Sequence, residues 1–393
     1  MPCNRLHQDI DGPSIKRAGA TGQGTGLDTA SHQLETGLLA GKAATIRDVA
    51  LRARVSVASV SRVLNGTGFV ADPTRLRVVE AVEALSYVPH SGARSLSTSR
   101  TDTVGVILPD LFGEFFSELI RGMDVAARAH GLHLIVSSSH GNAQDASAAI
   151  RSMRGRVDGL IVMSPHLDAA NLAASLAGRL PVLLMNSAAN DARRPSIVVD
   201  NRSGAMAAVE HLVAGGCLHI AHIAGPSGNL EAEARRAGYL EAMAAAGLEP
   251  RMLEGDFTQT SGHRAVRSVL ASGAPIDGVF AANDMMAIGA LLALQENGVR
   301  CPQDVAVVGF DDIPVAELMR PSLTTLRVNI AETGRRALER LVGLINPLAD
   351  APLDLICETI RPELVIRASS RVVASYEHSP PAQANPPRRA DIF

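Results

Sequence analysis

Polar side chains interrupt the apolar runs of this chain where they would meet a small molecule. Asp110, Ser164, Asn186 and Asp200 end such runs in the first half of residues 102–370. Phe257, Asn283-Asp284 and Asp311-Asp312 do so in the second half. Carboxylates and amides accept hydrogen bonds from hydroxyls, an arginine can fork onto oxygen atoms, and a phenyl ring stacks on a ring or sugar face. That is recognition chemistry, not bond-making chemistry. The sequence has no G-x-S-x-G, no H-E-x-x-H and no Walker loop, and the stretch from Gly37 to Lys42 is one residue short of a phosphate loop. Neither an enzyme nor a cofactor is expected. His219 and His222 read as packing or surface residues, because no third metal ligand stands at a useful spacing. The duller readings stay open: Asp311-Asp312 can end a strand and cap a turn, Asn201 can cap a helix, and Arg235 can be a solvated helix charge.

A second group of residues has a different chemistry. Residues 45–101 carry eight arginines against four carboxylates, a net of +4, which leaves −7 on the rest of a chain whose formal total is −3. A compact basic head on an acidic body is the charge pattern of a modular nucleic-acid binder. Within it Thr45 reads as an N-cap with Asp48 three positions on, and Ile46, Val49, Ala50 and Ala53 fall on one helical face. After a break at Arg54-Val55, Ser56 caps a second short helix whose Val60, Val63 and Leu64 pack inward. Its outer face shows Val57, Ala58, Ser61 and Arg62, small residues around one long fork that suits the major groove and a guanine edge. Asp72-Pro73 opens a third helix, with Leu76, Val79, Val82 and Leu85 expected to face inward. The alternative for this head is a three-helix protein-interaction module.

The elements that must position the first group alternate. Strand-like runs at 104–108, 134–137, 160–163, 182–185, 197–199, 220–224, 279–282 and 305–310 are separated by amphipathic stretches such as 115–130, 203–214 and 231–246. This alternation predicts parallel sheets covered on both faces, and about ten strands predict two lobes facing each other across a cleft. Residues 1–44, rich in Gly, Ala, Thr and Ser, and 371–393, rich in Pro, are expected to be a disordered leader and tail. No apolar run approaches a membrane span, the N-terminus lacks a signal-like apolar core, and Cys3, Cys217, Cys301 and Cys357 form no C-x-x-C pair, so a cytoplasmic location is expected.

The run TIRDVA from Thr45, then VSVASVSRVLNG from Val55 to Gly66, YVP at Tyr87 and ARSL at Ala93 resemble the LacI-family signature in order and spacing. The body resembles that family's effector domain, a relative of the periplasmic sugar-binding fold, through Phe115-Phe116, VDN at Val199, AGP at Ala224, RRAGY at Arg235, AND at Ala282 and VGFDD at Val308. The implied fold is an all-α helix-turn-helix head (45–101) joined to a two-lobed α/β effector and dimerisation domain (102–370). The resemblance also implies a hinge helix at about 90–97 that forms on DNA, with Leu96 wedged between base pairs. The implied DNA-contacting set is Thr45, Ser56, Val57, Ala58, Ser61, Arg62, Asn65, Ala93 and Leu96. The implied effector set is Asp110, Phe116, Ser164, Asn186, Arg235, Phe257, Asp284 and Asp311. The implied function is a homodimeric repressor on double-stranded DNA with a palindromic operator, controlled by a sugar or sugar acid, with a purine or nucleoside as the other effector class. A transport-type binding protein would share the body's fold. The chain departs from the family at Arg54, where Gly is usual, at His90 and Gly92, at Gly113-Glu114 in place of Asn-Pro, and at Cys217 in place of His.

Overall fold

The computed structural model describes residues 44–66, 68–88, 100–165, 174–176, 178–187, 194–346 and 357–370. The expected leader, hinge helix and tail, with Ala93 and Leu96, lie outside them. The chain divides into two units, Met1–Pro89 and His90–Phe393.

Among the described residues the first unit has three helices: α1 (Ile46–Ala53), α2 (Val57–Asn65) and α3 (Asp72–Ala84). Asp48 accepts hydrogen bonds from both the backbone amide and the hydroxyl of Thr45, which fixes the start of α1. Arg54 ends that helix in the left-handed region at φ 54° and ψ 47°, a conformation that costs a non-glycine residue strain. Ser56 Oγ accepts from Ser59 N at 3.1 Å and starts α2. Val49, Ala50, Ala53, Val60, Val78, Ala81 and Tyr87 make the core. Here α3 departs from expectation. Leu76 and Val79 are 63% and 43% exposed, and the inward stripe is Val78, Ala81, Val82 and Leu85. That stripe also follows the i, i+3, i+4, i+7 rule, and it is the one that meets α1 and α2. Asp72, not Pro73, is the first residue of α3, behind Ala71 as N-cap.

The second unit has twelve strands among the described residues. Six form a parallel sheet in the order β11-β5-β4-β3-β1-β2, from β1 (Thr103–Leu108), β2 (His133–Ser138), β3 (Gly159–Met163), β4 (Val182–Met185), β5 (Ser196–Val199) and β11 (Cys357–Ile360). Four form a second parallel sheet, β7-β6-β8-β9, from β6 (Ile220–Ile223), β7 (Arg251–Leu253), β8 (Gly278–Ala281) and β9 (Ala306–Val308). An antiparallel pair, β10 (Thr325–Arg327) and β12 (Glu363–Val365), stands where the chain crosses between them. Two lobes on parallel sheets are therefore present, as the alternation of runs requires.

Helices cover the sheets: α4 (Glu114–Ala129), α5 (Ala143–Met153), α6 (Asn201–Ala214), α7 (Leu230–Ala245), α8 (Gln259–Ala271), α9 (Asp284–Glu296), the short α10 (Val315–Leu318) and α11 (Ile330–Ile345). In the first lobe α4 and α11 approach so closely that a Cβ on Gly122 would lie 1.8 Å from Ala331 O, and one on Gly334 would lie 2.2 Å from Leu119 O. These two glycines set the position of α4, whose first turn carries Phe115 and Phe116 towards the cleft.

Candidate functional site

Between the lobes lies a cavity of about 420 Å³ at the carboxyl ends of both sheets, where ligands of parallel sheets bind. The first lobe supplies Asp110, Phe112, Phe115, Phe116, His140 and Met163. The second supplies Asn229, Glu231, Arg235, Asp256, Phe257, Thr258, Asn283, Met285, Asp311 and Ile313.

At its centre Arg235 is 4% exposed. Its Nε donates to Asn201 Oδ1 at 2.8 Å, its Nη1 to the carbonyl of Ala282, and its Nη2 points to Asp311 Oδ1 at 3.4 Å and Glu231 Oε1 at 3.9 Å. The guanidinium lies 3.8 Å over the Phe310 ring, a cation–π contact that holds its plane. Burial pushes Asp311 up to about 7 against the pull of Arg235, and burial also raises Glu231. The arrangement offers hydroxyl groups several acceptors around one fixed cation, with phenyl rings on the walls.

Backbone strain collects at this site. Phe257 sits at φ 69° and Asp311 at φ 113°, both uncommon for residues with a Cβ. Phe257 fits because Gly225 lacks a side chain; a Cβ there would come within 2.6 Å of the ring. Asn283 holds it, donating from Nδ2 to Phe257 O at 3.0 Å while its Oδ1 caps α9.

Asp110, Phe116, Arg235, Phe257 and Asp311 line the cavity; Ser164, Asn186 and Asp284 do not. Ser164 is buried, with its amide directed at Ser187 Oγ. Asn186, at φ 43°, reaches across from the first lobe and donates from Nδ2 to Glu231 Oε1 at 2.8 Å, so it positions a cavity residue. Asp284 is fully buried and accepts from Ile313 N and the Thr325 hydroxyl, and burial first, then the neighbouring Asp311, raises its carboxyl well above the usual range. The paired aspartates divide: Asp311 faces the cavity, while Asp312 turns away to Arg327 and Arg367. Asp200 caps α6 through Ser203 N, and Asn201 is its first residue and holds Arg235. His222 is buried, stacked between Tyr239 and Phe280, and burial lowers it to about 4.

Sequence reading missed Glu231, Asn229, His140, Asp256 and Thr258. Glu231 had a legible signal: it stands four residues before Arg235, on the same helical face, behind the cap Asn229. A contact across the cleft also went unread. Glu114 Oε2 accepts from Val315 N at 3.1 Å, joining the first turn of α4 to the start of α10.

In the head, Val57, Ala58 and Arg62 are exposed on the outer face of α2, Ser61 is half-buried, and Asn65 Nδ2 donates to Ser61 Oγ at 3.2 Å. Thr45 and Ser56 are the N-caps of α1 and α2. Among the described residues, no group of three or more His, Cys, Asp or Glu side chains could hold a metal ion, and no helix is long and apolar enough to cross a membrane.

The family model for bacterial regulatory proteins, lacI family, matches residues 45–90, and that for a periplasmic binding protein-like domain matches residues 209–370. The chain is 34% identical to the ribose operon repressor of Halalkalibacterium halodurans over 83% of this chain and 97% of that protein. It is also 34% identical to the HTH-type transcriptional repressor PurR of Aliivibrio fischeri, over 83% of this chain and 98% of that one. The solved structure of the lac repressor dimer bound to operator and the anti-inducer ONPF superposes with a TM-score of 0.73 at 30% identity, covering 84% of this chain and 99% of that chain. A helix-turn-helix head and a two-lobed periplasmic-binding-protein-like body, matched over nearly the full length of such relatives, place the chain in the LacI family of DNA-binding transcriptional repressors.

Proposed function

We propose that this repressor acts as a homodimer on a palindromic operator and that a sugar-like small molecule in the cleft of the body controls its affinity for DNA. The observation that carries the reading is the pairing of Arg235 with Asp311 and Glu231 in a cavity walled by Phe116 and Phe257. Hydrogen-bonding acceptors around a fixed cation suit hydroxyls, and phenyl rings suit the apolar face of a sugar. The ribose operon repressor among the relatives favours the same class. The exposed α2 face, with Arg62 as its long fork, reads bases in the major groove, and no catalytic role is assigned to any residue.

Contacts across the cleft, Asn186 to Glu231 and Glu114 to Val315 N, register how closely the lobes approach. A ligand binding both walls favours the closed arrangement, and closure changes how the two heads of a dimer meet their half-sites. The coupling is reciprocal, so operator DNA changes effector affinity by the factor by which effector changes operator affinity. Place of action is the cytoplasm, beside the DNA. A gel-shift titration with and without saturating ligand tests the reading, and unchanged operator affinity would sink it. The phenyl rings of Phe115, Phe116 and Phe257 favour a purine or nucleoside as the second reading. It prevails if nucleosides, and not sugars, raise the melting temperature.

A further inference from the structure

We infer, resting on the effector-binding reading above, that the cavity admits an uncharged polyhydroxy effector and rejects sugar acids and sugar phosphates. Two independent observations carry this. The first is the state of Arg235, the single arginine in the cavity wall among the described residues. A carboxylate or phosphate is recognised by a free guanidinium fork. The Arg235 fork is already turned inward, to Asn201, the Ala282 carbonyl, Asp311 and Glu231. An incoming anion would have to take the place of those carboxylates and leave them buried without a cation, which is strongly unfavourable. Among the described residues, four acidic side chains line the same space: Asp110, Glu231, Asp256 and Asp311.

The second observation concerns helix N-termini, the other common source of anion affinity. Four helices begin at the cavity: α4 beside Phe115 and Phe116, α7 beside Asn229, α8 beside Phe257 and Thr258, and α9 beside Asn283. α4, α7 and α9 carry an acidic side chain in the first turn, Glu114, Glu231 and Asp284 respectively, and α8, which has none there, has Asp256 ahead of it accepting from the amide and hydroxyl of its cap Thr258. An acidic side chain of the protein therefore already stands at the start of each of the four, and a ligand anion would have to approach it there. Hydroxyl groups meet the opposite situation, because each one can donate to a carboxylate that has capacity left.

The test uses the full chain and matched probes: D-ribose, D-ribonate and D-ribose 5-phosphate; D-glucose, D-gluconate and D-glucose 6-phosphate; adenosine and its 5′-monophosphate. Melting temperature and calorimetric affinity are read for each, with operator binding measured in parallel. The expected result is at least one uncharged binder whose acid and phosphate partners bind more than tenfold more weakly. A second expected result is that E231Q and D311N together narrow this preference, which a merely structural loss would not do. Two results overturn the inference: an acid or phosphate that binds as tightly as its uncharged parent, or a panel in which no uncharged member binds. An anion that binds and shifts operator affinity overturns only the charge assignment. A ligand of either kind that binds and leaves operator affinity unchanged instead counts against effector control.

Discussion

Arg235 is the residue on which the cleft depends, and its neighbours give it a pH signature. Burial raises Asp311 to about 7 in the folded protein, above the ordinary carboxylate value of an unfolded chain. A carboxyl with a raised folded value contributes stability that is fully present below its unfolded pKa and lost as pH rises through the folded one. The ligand-free body is therefore expected to melt at a lower temperature at pH 8 than at pH 5, and D311N should flatten that difference; a slope unchanged in the variant would assign it elsewhere. The groups facing Asp311 are Arg235, Glu231 and Asp284, so the titration is shared within this cluster. Arg235→Met should cost about 3 kcal/mol at pH 8, where it strands buried carboxylates. It should cost less at pH 5, where Asp311 holds its proton; chemical denaturation at the two pH values checks this. In the head, Arg62→Ala should weaken operator binding by about 1–3 kcal/mol and relax the preference at one base pair. Equal losses on operator and random duplex would contradict base reading. Arg235 and Asp311 were legible in the sequence because a strand-end acid and an RRAGY run are local features. Asn186 and Asp284 stand beside the cavity lining instead of in it, and sequence shows only that a polar residue ends a strand, not whether it faces the cavity or a neighbouring backbone amide.

At the scale of elements, close helix packing and the contacts that span the cleft carry the geometry. Gly122→Ala puts a methyl group into the Ala331 carbonyl, so α4 must move away from α11 and take Phe115 and Phe116 with it. Overpacking of this kind costs about 1–3 kcal/mol. The expected outcome is a lower melting temperature together with weaker effector binding, and an unchanged effector affinity would show that α4 does not set the cavity wall. Glu114→Ala removes the acceptor for Val315 N. With about 1 kcal/mol for a half-exposed hydrogen bond to a charged group, calorimetry should show a loss of about threefold to tenfold in effector affinity. The long apolar strands and amphipathic helices were legible from periodicity. Arg251–Leu253 and Thr325–Arg327 were not, since three residues carry no period, and Cys357–Ile360 looks polar because it is an edge strand. The face of α3 was misread for a related reason: Leu76, Val78, Val79, Val82 and Leu85 offer two overlapping stripes, and only packing against α1 and α2 selects one.

For the whole molecule, a basic three-helix unit and an acidic two-lobed unit are useful together only if occupancy of one is felt by the other. Family membership supplies the expectation of repression, and under the proposed reading the cleft supplies the means, since a ligand that touches both lobes would favour a single closed arrangement. The order of the two units along the chain was legible from charge and motif. The pairing of strands from distant segments was not, because β11 joins β5 from some 160 residues away in sequence. The decisive measurement is the affinity of the full chain for a duplex that it selects from a random library, read by fluorescence anisotropy. It is made with and without an uncharged ligand that raises the melting temperature, for the unsubstituted chain and for Arg235→Met. A change of at least tenfold in the unsubstituted chain, absent in the variant, is the expected result. Operator affinity that ignores the ligand in both, or responds equally in both, would contradict control through this cleft.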